Sequence, residues 1–220
     1  MDYTFTNNHE LFGTVFALAW PTILEQLMQT AVQYIDTAMV GSLGTEAMTA
    51  VSIVGQLLFV FSLALFGGLS GPGIYTAQFY GQGNTEGVRA STRMKAIIAL
   101  VCTSCGIAVL LCFETFLINL YLHGESAEID PALTLSYAKD YMRIMLLGLP
   151  AMAVTQIYAS SLRETGDSVK PMAAGIVSVV ADVVFNYLLI YGSLGFPRLG
   201  VRGAATATVI ARYLEMVTLI

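Results

Sequence analysis

The sequence predicts an all-α, polytopic membrane protein with six transmembrane helices, and three observations carry that prediction. Of its 220 residues, 56% are hydrophobic and only 11% charged, where a soluble domain carries about 25% charged residues. The apolar residues fall in six long runs, about 11–39, 47–78, 94–121, 135–161, 170–191 and 202–220, each near or above the roughly 20 residues a helix needs to cross the hydrocarbon. The runs are continuous rather than alternating and far exceed the roughly ten residues of a barrel strand, which argues against a β-barrel.

Taken in order, the first run is a retained helix rather than a signal peptide. Met1 to Glu10 lacks a basic region, and the run is too long for a cleaved apolar core. Short turn-forming separators follow: Gly41 to Gly44, Gly81 to Asn84, His123 to Pro131, Thr165 to Asp167, and Gly195 to Arg198. The second run contains Gly67, Gly68, Gly71, Pro72 and Gly73. These predict either a bend at the proline or close packing through small residues. Cys102, Cys105 and Cys112 share the third run without a His or carboxylate at ligand spacing, so they read as small packing residues. An even number of spans returns the chain to its starting side. The sixth run reaches Ile220 about 17 residues after Gly203 without a polar flank, so the sequence reads as the amino-terminal piece of a longer protein.

Charge adds orientation and excludes one class of partner. With the amino terminus inside, the inner loops hold Arg89, Arg93, Lys95, Arg163 and Lys170, against Lys139, Arg143, Arg198 and Arg202 outside. That small excess favours a cytoplasmic amino terminus, and the acidic outer loop with Glu125, Glu128 and Asp130 adds little to it. No basic stripe with interleaved aromatics is present, so nucleic acid is not an expected partner; membrane lipid is.

Polar residues inside the spans point to the site. Asp36 lies near the end of the first run, and an ionisable residue at membrane depth is a functional-site hypothesis by default. Glu25, Gln29, Gln33 and Asp36 follow at spacings of four, four and three, a polar stripe down one helix face. The fifth span carries Ser178, Asp182 and Asn186 at spacings of four, and the sixth carries Thr206, Thr208, Arg212 and Glu215. Asp36 precedes Gly41 by five residues, Asn186 precedes Gly192 by six, and Thr208 follows Gly203 by five. Alternating topology puts those three ends on one side, so the three side chains share a depth, with Asp182 one turn deeper. Two carboxylates, an amide oxygen and a hydroxyl suit a hard cation such as sodium, or a shared proton, rather than zinc or iron.

Structural readings compete for some of these residues. A lone Ser or Thr in a membrane helix is usually interhelical glue worth about 0.6 kcal/mol, which is the simpler account of Ser178 and Thr206. An aspartate costs at least about 2.5 kcal/mol at the bilayer centre, which makes Asp36 and Asp182 functional candidates. Arg212 could neutralise Asp182 or Glu215 three residues on, with the local pair favoured. Glu25 and Glu114 lie nearer span ends, where snorkelling would suffice.

Several segments are similar to those of one transporter family. Pro21 and the run Val32 to Gly41 (VQYIDTAMVG) resemble the first-helix signature of the multidrug and toxic compound extrusion (MATE) transporters. Ala77 to Asn84 (AQFYGQGN) resembles their second-helix exit, and Arg163 to Met172 (RETGDSVKPM) their fourth-loop motif. Phe185 to Gly192 and Leu199 to Thr208 resemble their fifth and sixth helices. The resemblance covers essentially the whole chain in order. It implies one six-helix lobe of a twelve-helix antiporter, its two lobes related by a pseudo-two-fold axis along the membrane normal. It also implies a multi-pass protein of the plasma membrane, the inner membrane in a bacterium, with a cytoplasmic amino terminus.

The same resemblance places a cation site at Asp36, Asp182, Asn186 and Thr208, with Glu25, Gln29, Gln33, Ser178 and Arg212 as cavity-lining candidates. The chain departs from the family pattern in carrying Asp182 and Asn186 where related sites have Asn and then, in some members, Asp one turn on. The implied function is export of small organic cations by alternating access, coupled to sodium or protons, with no cofactor and with the carboxy-terminal lobe or a second six-helix unit as partner. Two other functions compete with this one. A lipid-linked oligosaccharide flippase should line its cavity with Arg and Lys, and only Arg212 lies deep in a span. An intramembrane aspartyl protease should carry a Gly-x-Gly-Asp motif, and Gly166-Asp167 falls in a loop instead.

Overall fold

A computed structural model describes residues 8–122 and 130–220, so the acidic positions Glu125 and Glu128 lie outside the described residues. The described residues form eight α-helices: α1 (Asn8–Gly41), α2 (Thr45–Gly81), α3 (Thr85–Cys112), α4 (Glu114–Leu122), α5 (Pro131–Leu146), α6 (Leu149–Glu164), α7 (Val169–Tyr191) and α8 (Val201–Leu219). No strand occurs among the described residues. The chain is an all-α polytopic membrane protein. Among the described residues α2, α3 and α7 are each long and apolar enough to cross a bilayer, and α5 with α6, bent by 48° at the break between them, reaches that length and hydropathy together. Helices α1 and α8 are not among these. They carry Glu25, Gln29, Gln33 and Asp36, and Arg202, Arg212 and Glu215, and side chains that serve a polar interior lower the hydropathy of the helix that bears them.

Helix ends follow local chemistry. Gly83 takes φ +69 after α2, and the Asn84 N–H reaches back to the Phe79 carbonyl at 2.9 Å. Gly166 takes φ +89 after α6, with the Asp167 N–H on the Leu162 carbonyl at 2.9 Å. Both are Schellman closures that need a left-handed residue after the helix. Asn84 then caps α3, accepting from the Gly87 N–H at 3.0 Å. That cap starts α3 at Thr85, nine residues before the apolar run begins, so Arg89 and Arg93 belong to a helix rather than a loop. After α6, Asp167 accepts from the Lys170 N–H at 3.2 Å and pairs with its ammonium at 2.9 Å, which holds the exposed Asp167 carboxyl below its usual range.

Two runs expected as single helices are each divided. Helix α3 ends at Cys112 and α4 begins at Glu114. Between α5 and α6 the break at Leu147–Gly148 precedes Pro150, which has no N–H to continue the ladder. By contrast, α2 runs unbroken through Pro72, and two of its glycines, Gly68 and Gly73, serve packing. A Cβ at Gly68 would lie 2.9 Å from Ile98 Cγ2, and one at Gly73 would collide with the Glu164 carboxylate.

Helices α7 and α8 pack most extensively, and α1 lies along α7. A Cβ at Gly203 would sit 2.5 Å from the Leu189 carbonyl oxygen, so only glycine permits that approach. This contact brings the polar faces of α1, α7 and α8 together.

Candidate functional site: a carboxylate pair facing a polar cavity

Gln29, Gln33 and Asp36 of α1, Ser178 and Asp182 of α7, and Thr208 and Arg212 of α8 all face one cavity of about 610 Å³. The carboxylates of Asp36 and Asp182 lie within hydrogen-bonding reach of each other, and the Thr208 hydroxyl is beside Asp182. Asn186 stands behind them, 1% exposed, and its Nδ2 donates to Asp36 Oδ1 at 2.7 Å. The structure thus gathers Asp36, Asp182, Asn186 and Thr208 from three helices at one point. Two buried acceptors there lack a protein partner, Asp182 Oδ1 and Asn186 Oδ1. Orphaned buried oxygens beside a carboxylate pair fit a hard cation or a proton as the missing partner. Among the described residues no three His, Cys, Asp or Glu side chains come together.

Tyr141 of α5 is a residue that sequence reasoning missed. It is buried, lines the cavity and feels the charge of both aspartates. Nothing in its spacing marks it, because what brings this face of α5 to the cavity is packing against α2 and α8. Ser52 and Gln56 of α2 line the opposite wall and were likewise not singled out.

Other polar residues have structural partners. The Ser178 hydroxyl donates to the Ala211 carbonyl across α7–α8 at 3.2 Å, as interhelical glue. Thr206 instead bonds back to Arg202 O in its own helix at 2.8 Å. Arg212 pairs with Glu215 at 3.4 Å, the local partner. The snorkelling expectation for Glu25 and Glu114 is corrected, because both are buried in ion pairs. Arg163 Nη2 donates to both Glu25 oxygens at 2.7 and 2.9 Å, and Glu114 takes Arg143 at 2.7 Å with Lys139 at 3.8 Å. An interior pair satisfies a carboxylate that the helix face turns inward. Glu25 therefore lines a second, smaller cavity rather than the one holding Asp36. Lys95 is corrected as well. It is 0% exposed and bonds Ser160, Ser161 and Glu164, so it contributes nothing to loop charge.

An all-α membrane bundle whose polar cavity is lined by two neighbouring carboxylates, Asp182 buried and Asp36 half-buried, belongs to the transporter class of architectures rather than to soluble enzymes. The family model described as MatE matches residues 21–188, and the chain belongs to that family. It is 29% identical over 204 residues to the probable multidrug resistance protein NorM of Thermotoga maritima, covering 93% of this chain and 42% of that protein. It is 32% identical over 201 residues to the probable multidrug resistance protein YoeA of Bacillus subtilis, covering 87% and 40%. A crystal structure of MATE in the bent conformation superposes with a TM-score of 0.78 at 25% identity, covering 94% of this chain and 44% of that one. The chain spans about two-fifths of the length of the curated relatives it matches. Both curated relatives are described as probable multidrug resistance proteins.

Proposed function

We propose that residues 1–220 form the amino-terminal lobe of a twelve-helix exporter that expels small organic cations in exchange for sodium or protons. The carboxy-terminal lobe, or a second six-helix unit, would close the transport cavity. In this reading α3 with α4 and α5 with α6 each cross the membrane once, making six traverses with α1, α2, α7 and α8. The protein sits in the plasma membrane, the inner membrane in a bacterium, with its amino terminus in the cytoplasm.

The observation that carries the reading is the Asp36–Asp182 pair, backed by Asn186 and facing a large cavity. Two carboxylates in reach of each other repel unless a proton or cation lies between them. Arrival of the coupling ion would remove that repulsion and let α1 pack closer to α7; its departure would reverse the change. Only a difference in affinity between two states can drive such a switch. One charge crossing 100 mV supplies about 2.3 kcal/mol, roughly a fiftyfold bias.

The cavity suits the substrate class. Its volume of about 610 Å³ falls within the roughly 300–1,000 Å³ of small-molecule sites. Met48, Met145, Met152 and Phe59 supply soft, adaptable surface, and Tyr141 a ring face for a cation. Among its described lining residues Arg212 is the sole Lys or Arg, and it is tied to Glu215. That favours organic cations over the pyrophosphate of a lipid-linked sugar.

The test is export by the full-length protein in proteoliposomes under an imposed sodium or proton gradient. Wild-type protein should expel a fluorescent organic cation, and Asp36→Asn should not. Gradient-driven efflux by Asp36→Asn at the wild-type rate would defeat the reading.

A further inference from the structure

Toward the end of the bundle where α1 begins and α6 and α8 finish lies a second cavity of about 260 Å³. Its walls include Glu25, Gln26 and Gln29 of α1, Thr155 and Arg163 of α6, and Glu215 of α8. Its charges cancel in pairs, Glu25 with Arg163 and Glu215 with Arg212. Gln26, Gln29, Met152 and Arg212 wall both cavities, so three of the four side chains between them are long and polar.

Two groups on the second cavity's wall are buried without a protein partner, the Thr155 hydroxyl and the Arg163 Nε–H. Thr155 is only 7% exposed. Leaving such a group unbonded costs about 1–3 kcal/mol, and water is the partner a polar cavity supplies. A volume near 260 Å³ holds about eight waters at roughly 30 Å³ each. Thr103 Oγ1 is also buried and unpartnered, yet it borders neither cavity, which makes it an internal control.

We infer that the second cavity is a hydrated passage carrying the coupling ion, as sodium or hydronium, between the Asp36–Asp182 pair and the bundle end where α1 begins. The inference rests on the coupling role proposed above. Glu25 stands eleven residues before Asp36, about 16 Å along α1, too far for one transfer. The amide oxygens of Gln29 and Gln33 divide that distance into steps of about 6 Å or less, and they lie on the same helix face. At the far end the Glu25 carboxylate, held through a single guanidinium nitrogen of Arg163, offers oxygen to a passing cation. The space is below the roughly 300 Å³ of a drug-sized site, so the ion passes here and the organic substrate does not.

The test uses full-length protein with its native cysteines replaced by alanine. Single Thr155→Cys and Thr103→Cys variants are treated with a small cationic methanethiosulfonate reagent. The thiol at 155 should react at least tenfold faster than that at 103. In proteoliposomes Thr155→Leu should slow coupling-ion flux at least tenfold while leaving equilibrium ion affinity within twofold, the signature of a blocked route rather than a lost site. Equally slow labelling at both positions would overturn the passage, as would unchanged flux in Thr155→Leu. If the leucine variant does not fold, the labelling ratio decides alone. Undiminished coupled transport by Asp36→Asn would instead defeat the coupling role itself, whereas an inactive Asp36→Asn with a slow thiol at 155 removes only the passage.

Discussion

Asn186 of α7 donates its side-chain amide to Asp36 of α1 at 2.7 Å, joining helices 150 residues apart in sequence. The bond orients one member of the carboxylate pair from behind and ties the first helix to the seventh. A hydrogen bond to a charged group contributes about 1.5–3 kcal/mol. Asn186→Leu should therefore lower unfolding stability by about that amount and weaken coupling-ion affinity together. Calorimetric unfolding of detergent-solubilised protein with parallel ion titration checks both.

The Lys95–Glu164 pair predicts an asymmetry. Lys95 has a side-chain exposure of 0% and Glu164 of 20%. Glu164→Ala strands an ammonium in the interior and should cost about 3–5 kcal/mol. Lys95→Met leaves only a carboxylate with some access to solvent and should cost less. The double variant should recover most of the loss, as thermal unfolding of all three will show.

Glycine positions separate cleanly. Gly203→Ala places a Cβ against the Leu189 carbonyl and should destabilise by about 1–3 kcal/mol or more, spreading α7 from α8 and with them Asp182 from Thr208. Gly71→Ala meets nothing within 4 Å and should be neutral or gain about 0.5–1 kcal/mol through helix propensity. Melting temperatures of the two variants should move in opposite directions.

Arg212 decides between its two carboxylate neighbours. Its guanidinium lies 3.4 Å from Glu215, which is buried. Arg212→Met should lose stability, and adding Glu215→Gln should restore it, because the unpaired buried charge is the costly species. Restoration by Asp182→Asn in its place would assign Arg212 to the ion site.

How far these features could be read from sequence depended on their range. The stripe from Glu25 to Asp36 and the Ser178–Asp182–Asn186 face follow from helical period alone, and alternating topology was enough to bring Thr208 to the same depth. The glycine-bearing turns at Gly83 and Gly166 were equally local. Partners contributed by distant helices were hidden. Arg163 lies 138 residues from Glu25, and no periodicity announces their pairing. Lys95 looked like a loop charge although it stands at the start of the 94–121 run, because Ser160, Ser161 and Glu164, which hold it inside the bundle, lie 65 to 69 residues away. Tyr141 reaches the cavity because α5, ahead of the α5–α6 bend, packs against α2 and α8. The residues behind that bend, Gly148 and Pro150, were visible in the sequence, whereas its direction depends on packing against α8.

Whether Asp36 and Asp182 form one coupling-ion site is decided by a double-mutant cycle on ion affinity. Sodium and proton binding would be titrated in full-length wild type, Asp36→Asn, Asp182→Asn and the double variant. For a shared site each single variant loses essentially all the affinity and the double loses no more, because the groups act as a unit. Two partial losses that add in the double variant would contradict the claim and return the aspartates to separate roles.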